Sequence, residues 1–297
     1  MSKKLYVGSA PALVTPFTAD GSAVNFDALG ELIDFHLANK SDALVVNATT
    51  SEGTTMSQEE KEAVIKFTLE RVNGRLPIIA ATGGNNTKVV IEHSKKAEEL
   101  GAAGLLVITP YYNKTTQNGL IAHFKAVAES VNLPIIMYNV PGRTGLNMLP
   151  STVAECAKIP NIVGTKEASG DIAQVTKIIM LTQNENFDVY SGEDGLLFPI
   201  LALGGAGIIS TTANILPETF HNICQEYFDG NVEASRNLQL KIMNIVDAMF
   251  CEVNPIPVKT ALNLMGKNVG PLRMPLIDPS PENLERIKKE LKVWDLI

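Results

Sequence analysis

Short apolar segments rich in β-branched residues recur along the chain and alternate with longer amphipathic stretches. Eight of them are candidate strands: "ALVTPF" from Ala12, "ALVVN" from Ala43, "PIIAA" from Pro77, "GLLVIT" from Gly104, "PIIMYN" from Pro134, "NIVGTK" from Asn161, "FDVYS" from Phe187 and "AGIIST" from Ala206. These segments are apolar on both faces, which is typical of parallel strands covered by helices. Eight strand–helix units at this spacing predict an α/β fold, the (β/α)8 TIM barrel.

The stretches between these segments have helix signals at their ends. Ser57 is a suitable N-cap for the helix that runs to Val72, and Glu60 stands where its capping-box partner is required. A second helix is predicted from Asn86 to about Gly101, a residue that commonly ends helices. A doubly wound open sheet would also alternate, but it usually has a glycine-rich turn after the first strand, and none follows here.

The strand pattern ends near Ile215, and only helical patterns follow. We therefore predict a catalytic barrel over residues 1–229 and a C-terminal helical domain over residues 230–297, packed on the barrel. The helical segments of this domain are expected near Asn231–Phe250, Pro257–Met265 and Pro281–Leu291.

Composition excludes several classes of function. The net charge of −7 comes without a basic stripe, so nucleic acid is not an expected partner. No run approaches the roughly 20 apolar residues of a membrane span, and the N-terminal stretch is too interrupted for a signal peptide. The three widely spaced cysteines predict reduced thiols in a cytoplasmic protein. The four histidines form no metal-binding spacing, so no metal is expected.

Polar and ionisable residues that could take part in catalysis follow the predicted strands, where barrel enzymes carry their active sites. In chain order they are Thr49 and Thr50, Tyr111 and Tyr112, Tyr138, Arg143, Lys166, and Glu193 with Asp194. Each alone has an ordinary structural reading, and a lysine just past a strand is most often a surface residue. A barrel would direct all of them to one face, which makes the combination more specific than its members.

Lys166 suggests Schiff-base chemistry with a ketone substrate. A lysine enclosed by barrel walls loses solvation of its ammonium form, so its pKa falls and the neutral amine can attack a ketone. Tyrosines linked through a threonine hydroxyl can move the protons of Schiff-base formation. Thr50 could hold the carboxylate of a 2-oxo acid, and Arg143 could hold a second carboxylate. This chemistry requires no metal or organic cofactor.

A phosphate site at the glycines of "LGGAG" is a weaker alternative, because these glycines precede the last strand instead of following it.

Three motifs resemble the dihydrodipicolinate synthase family of pyruvate-dependent class I aldolases. They are "YNVPGRTG" at 138–145, "VGTKEASG" at 163–170 and "NPIPVKTAL" at 254–262, and the resemblance extends over essentially the whole chain. It implies a TIM barrel with C-terminal helices, commonly assembled as a homotetramer of two tight dimers. It also implies condensation of pyruvate with L-aspartate 4-semialdehyde in lysine and diaminopimelate biosynthesis.

The resemblance also implies roles for individual residues. Lys166 would form the Schiff base, and Tyr138 would be the acid and base beside it. Thr49 would join Tyr138 to Tyr112, and Tyr112 would be donated by the neighbouring subunit of the tight dimer. The implied substrate-binding residues are Thr50 for the pyruvate carboxylate, Arg143 for the semialdehyde carboxylate, and Gly192 and Ile209 through their backbone.

The chain departs from the family pattern at two places. The usual "GTTGE" is "ATTSE" here, with Ala48 and Ser51 in place of glycines. The positions that bind feedback lysine in regulated members read Gln58, Lys61 and Val89, although Asn85 is kept; we expect weak or absent inhibition by lysine.

Alternatives to the synthase reaction are a related aldolase acting on another aldehyde or 2-keto-3-deoxy acid, and a barrel that only senses 2-oxo acids. Arg143 favours an acceptor with a carboxylate, because sialic acid lyases resemble "YNIPALSG" at this point and lack the arginine.

Overall fold

The computed structural model describes residues 4–297, and its core is a sheet of eight parallel strands. The strands are β1 (Gly8–Pro11), β2 (Leu44–Val46), β3 (Ile78–Ala81), β4 (Gly104–Ile108), β5 (Ile135–Asn139), β6 (Ile162–Glu167), β7 (Asp188–Ser191) and β8 (Gly207–Ser210). Each strand from β2 to β8 pairs with its neighbours in chain order, and β1 pairs with β8. A parallel bridge between Ala12 and Val45 brings the end of β1 to β2, which closes the barrel.

Between residues 4 and 297, twelve α-helices follow or connect the strands. They are α1 (Phe26–Ala38), α2 (Gln58–Val72), α3 (Thr87–Leu100), α4 (Gln117–Ala128), α5 (Pro141–Thr144), α6 (Pro150–Ala157), α7 (Ile172–Thr182), α8 (Leu197–Ala202), α9 (Pro217–Phe228), α10 (Val232–Met249), α11 (Ile256–Leu264) and α12 (Pro281–Val293). Short 3₁₀ turns at Asp194–Leu196 and Thr212–Asn214 follow β7 and β8. The predicted α/β barrel with C-terminal helices is therefore confirmed.

The predicted first strand is wrong in position. The strand is Gly8–Pro11, whereas the apolar segment from Ala12 to Phe17 is a buried loop. After the Ala12 bridge, the Val14 amide donates to the Oδ1 atom of Asn214 instead of to a strand carbonyl. Leu13 and Val14 are buried all the same, so an apolar run here indicates burial without regular strand pairing.

The pairing of β1 with β8 depends on a very close approach of two backbones. Gly207 has a φ of +145°, and a Cβ atom built there would lie 1.9 Å from the carbonyl oxygen of Gly8. Only glycine fits such a contact. These two glycines are the local sequence signal that could have located the first strand.

The two helix boundaries predicted from capping residues are close to the observed ones. Ser57 caps α2, and its reciprocal hydrogen bonds with Glu60 form the predicted capping box. Helix α3 ends at Leu100, and Gly101 takes the left-handed conformation expected of a C-terminal cap.

The C-terminal helices form a layer against the last barrel units. Helix α10 packs on α9, and α12 packs on α10 and α11. The division of the chain at residue 230 falls at the turn between α9 and α10 and stays a prediction. Across residues 4–297, no helix has the length and apolar character needed to cross a membrane.

Candidate active site

Lys166 and Tyr138 occupy facing positions on neighbouring strands. They are register partners in the pairing of β5 with β6, close to the carboxyl ends of both strands. The Nζ atom of Lys166 lies 4.3 Å from the centre of the Tyr138 ring. The lysine is only 6% exposed, so the structure does not support the alternative of a surface lysine just past a strand.

Burial changes the acid–base properties of Lys166. Removal of the ammonium group from water lowers the pKa of Lys166 to about 8, although the carboxylates of Asp194 and Glu193 act in the opposite direction. The guanidinium of Arg143 adds to the lowering. An amine with this pKa is partly neutral near physiological pH and is therefore a competent nucleophile toward a carbonyl carbon.

Gly192 follows β7 and leaves room for the lysine side chain. A Cβ atom at this position would lie 3.1 Å from the Cε atom of Lys166 and 2.7 Å from the Cβ atom of Ala168. Any side chain at residue 192 would therefore displace Lys166 or Ala168.

Tyr138 is buried and holds its proton firmly. Loss of solvation raises the pKa of the Tyr138 phenol to about 12, and the positive charge of Arg143 and an interaction with the Thr49 hydroxyl only partly offset this rise. At neutral pH the phenol is therefore protonated, and it can donate a proton to a developing oxyanion or hydroxyl leaving group.

Thr50 is held by residues from two distant parts of the chain. The Nδ2 atom of Asn254 donates to the Oγ1 atom of Thr50 over 2.9 Å, and the Thr211 hydroxyl lies 3.3 Å from the same oxygen. The Thr50 oxygen accepts from Asn254, and when Thr211 also donates to it, the Thr50 proton is free to bind an acceptor such as a carboxylate.

Arg143 lies in α5, the single helical turn that follows β5. Its Nη2 atom donates to the backbone carbonyl of Asn254 over 3.3 Å. Asn254 thus contacts both Thr50, through its side chain, and Arg143, through its backbone. Asn254 begins the motif at 254–262, but the sequence alone predicts no role for this residue.

These residues surround one cavity at the carboxyl end of the barrel. Its walls comprise Ala12, Ala48, Thr49, Thr50, Tyr138, Val140, Arg143, Lys166, Ala168, Gly192, Glu193, Thr211, Phe250 and Asn254. Six of the eight predicted site residues are therefore brought together within one chain. Ile209 is buried in β8 within the barrel interior and does not line this cavity through its side chain.

Tyr112 is the other predicted residue outside the cavity. Its side chain is 92% exposed, and its φ of +69° is unusual for an aromatic residue. Within this chain Tyr112 does not join Thr49 and Tyr138 in a relay. The neighbouring Tyr111 instead lines a second cavity.

The two replacements of glycine after β2 are accommodated. The Ser51 hydroxyl donates to the carbonyl of Leu13 over 2.6 Å and accepts from the amide of Ala48 over 3.1 Å. Ser51 therefore links the loop that carries Thr49 and Thr50 to the segment after β1. Ala48 is buried and contributes its small side chain to the cavity wall.

A second cavity of about 240 Å³ lies next to the first and shares Ala48, Thr49 and Tyr138 with it. Its outer wall includes Gln58, Lys61, His93 and Tyr111. Burial lowers the pKa of the half-buried Lys61 ammonium. Gln58 and Lys61 are two of the positions at which the resemblance places an effector site.

Comparison with known proteins identifies relatives over the full length. The sequence profile of the Dihydrodipicolinate synthetase family matches residues 5–294. The chain is 52% identical over 293 residues to 4-hydroxy-tetrahydrodipicolinate synthase 1 of Clostridium acetobutylicum, and the alignment covers 99% of each chain.

Solved structures agree with this similarity. The crystal structure of dihydrodipicolinate synthase from Thermotoga maritima superimposes with a TM-score of 0.97 at 42% identity, covering 99% of this chain and 100% of that one. A structure described as the first monomeric dihydrodipicolinate synthase variant superimposes with a TM-score of 0.96, also at 42% identity, covering 99% of this chain and 98% of that one. The chain therefore belongs to the dihydrodipicolinate synthetase family.

Proposed function

We propose that the protein condenses pyruvate with L-aspartate 4-semialdehyde to give 4-hydroxy-tetrahydrodipicolinate. The observation that carries this proposal is the buried Lys166 amine against the Tyr138 ring, in a cavity that also contains Thr50 and Arg143. The names of full-length relatives at about half identity support the same reaction.

The reaction begins at the Lys166 amine. The neutral nitrogen attacks the ketone carbon of pyruvate, a C–N bond forms, and the carbonyl oxygen takes a proton from the Tyr138 phenol. The nitrogen, cationic after the attack, returns a proton to the Tyr138 phenolate. Tyr138 then passes this proton to the new hydroxyl group, which leaves as water and gives the protonated imine. The Thr50 hydroxyl donates to the pyruvate carboxylate throughout.

The imine then makes the pyruvate methyl group acidic. Loss of a methyl proton gives the enamine, whose carbon attacks the aldehyde carbon of the second substrate. A C–C bond forms, and the aldehyde oxygen takes a proton to become the 4-hydroxyl group. The amino group of the acceptor then replaces Lys166 at the imine carbon, which closes the ring and frees the lysine.

Arg143 makes the acceptor specific. Its guanidinium lies at the exposed side of the cavity and matches the carboxylate of a short semialdehyde. This favours the semialdehyde over acceptors without a carboxylate, and it favours the synthase over the alternative aldolases.

The assembly and location are part of the proposal. Tyr112 completes the relay to Thr49 from a neighbouring subunit, within a homotetramer of two tight dimers, which fits the exposure of its ring in the single chain. The free thiols of Cys156, Cys224 and Cys251 fit the reducing cytoplasm.

The test combines turnover with chemical trapping. Wild-type protein should form the product from the two substrates, and borohydride reduction with pyruvate should leave a stable adduct on Lys166. Arg143→Ala should retain the adduct but lose turnover with the semialdehyde. Absence of an adduct on the folded protein would exclude the Schiff-base mechanism.

A further inference from the structure

We propose that Glu193 and the side-chain oxygen of Asn254 bind the ammonium group of the acceptor aldehyde, while Arg143 binds its carboxylate. This inference rests on the proposed function and adds a specificity determinant to it. The three residues would together recognise an α-amino acid grouping and reject an aldehyde that has the carboxylate alone.

Glu193 is a carboxylate on the cavity wall that the fold leaves free. Its backbone amide and carbonyl both bond with the Ser191 hydroxyl, which fixes the residue directly after β7. No group in residues 4–297 donates a hydrogen bond to its carboxylate oxygens. Burial and the neighbouring Asp194 carboxylate raise the pKa of Glu193, and the more distant Lys166 and Arg143 act in the opposite direction. Glu193 can therefore accept hydrogen bonds from a ligand.

The neighbouring Asp194 is not available to a ligand in the way that Glu193 is. Its side chain is buried away from the cavity, and its Oδ2 atom accepts from the Thr212 amide over 2.7 Å. Asp194 is thus used to fix the turn after β8, whereas Glu193 faces the space that the substrates would occupy.

Asn254 supplies a second acceptor. The residue is 7% exposed, and its Nδ2 atom is used by Thr50. Its Oδ1 atom is buried and has no hydrogen-bond partner in the described part of the chain. A buried amide oxygen without a partner is costly, so a ligand that donates a hydrogen bond to it binds more tightly.

The charges of the cavity match an α-amino acid group better than a carboxylate alone. The backbone carbonyl of Asn254 orients the Arg143 guanidinium, which places the cationic group beside the same residue that offers the free oxygen. A carboxylate on Arg143 and an ammonium on Glu193 would leave both side chains paired. Succinate semialdehyde has the same carboxylate and aldehyde without the amine, so it would leave the half-buried Glu193 carboxylate unpaired.

The experiment compares the two aldehydes in wild-type protein and in Glu193→Gln, which keeps the size of the side chain. We measure the KM for L-aspartate 4-semialdehyde and the Ki of succinate semialdehyde as a competitor in the same assay. The expected result is a rise of about tenfold or more in this KM, as for loss of a charged hydrogen bond, with the Ki changed less than twofold.

Borohydride trapping of pyruvate on Lys166 separates recognition of the acceptor from a general disturbance. The adduct should form in Glu193→Gln as in wild type. Glu193→Asp should have a KM for the semialdehyde between those of wild type and Glu193→Gln. It also serves as the test variant if Glu193→Gln does not fold. Equal changes in KM and Ki, or no change in either, would overturn the inference. Failure of wild-type protein to use the semialdehyde would instead reject the proposed function.

Discussion

The Nζ atom of Lys259 lies 2.5 Å from the Oε1 atom of Glu52, and both side chains are about 1% exposed. Lys259 belongs to α11 in the C-terminal helical layer, whereas Glu52 follows Thr49 and Thr50 in the loop after β2. The other oxygen of Glu52 accepts from the backbone amide of Arg273 over 2.8 Å. The C-terminal segment is thus bonded to the loop that carries two of the site residues.

Removal of one partner of this ion pair should be strongly destabilising. Lys259→Met would leave the Glu52 carboxylate buried without its cation, which costs about 3 kcal/mol or more. We expect the free energy of unfolding, measured by urea denaturation at fixed protein concentration, to fall by about this amount. The exposed lysine variant Lys292→Met should change it by less than about 0.5 kcal/mol. Equal effects of the two substitutions would show that the pair does not hold the loop.

The depressed pKa of Lys166 predicts a pH dependence of imine formation. Because the pKa is lowered from its ordinary value of 10.5 to about 8, the neutral amine is lost as the pH falls through 8. The rate of adduct formation with pyruvate should therefore level off above pH 8 and fall about tenfold per pH unit below it. Rapid-mixing measurements between pH 6 and 9.5 would test this, with Lys166→Ala as the variant that forms no adduct. A rate that still rises at pH 9.5 would contradict the lowered pKa.

The fold was predictable because its signal is local. Short apolar segments and amphipathic stretches alternate at a spacing that suits strand–helix units, and seven of the eight strands lie where this pattern predicts them. The first strand was misplaced because Leu13 and Val14 are buried beyond the end of β1, although Leu13 still donates one backbone hydrogen bond to Val45 of β2. Their apolar character indicates burial in the core, and the acceptor of the Val14 amide, Asn214, is 200 residues away in the sequence.

The site was predictable to the extent that strand ends converge. Thr50, Tyr138 and Lys166 follow or end different strands, and closure of the barrel is sufficient to bring them to one cavity. The role of Asn254 has no local signal, since its hydrogen bond to Thr50 spans 204 residues of sequence. Tyr112 is exposed in the single chain, and its proposed contact with Thr49 of a neighbouring subunit has no local sequence signal.

Donation of Tyr112 across a subunit interface predicts complementation. Tyr112→Phe and Lys166→Ala should each have little activity, because one lacks the relay hydroxyl and the other lacks the nucleophile. When the two proteins are mixed and allowed to exchange subunits, a mixed dimer would contain one site with both native residues. We expect activity to recover toward about a quarter of the wild-type level, from random pairing in which half of the dimers are mixed and have one of two sites intact. Native mass spectrometry would verify exchange, and exchange without recovered activity would exclude donation.

The cavity beside the active site predicts a poor response to lysine. Lys61 contributes an ammonium to its wall, and His93 lies there as well. Burial and the nearby Lys61 lower the pKa of His93, so the imidazole is neutral at physiological pH and does not add a second charge. The lysine ammonium groups would be repelled by Lys61, and the exposed Val89 offers no group to pair with them. We therefore expect less than half-inhibition at 1 mM lysine in the condensation assay.

Lys61→Gln keeps a polar side chain but removes the charge, and it should increase the sensitivity of the enzyme to inhibition by lysine. Strong inhibition of the wild-type protein below 1 mM would show that Lys61 does not prevent binding.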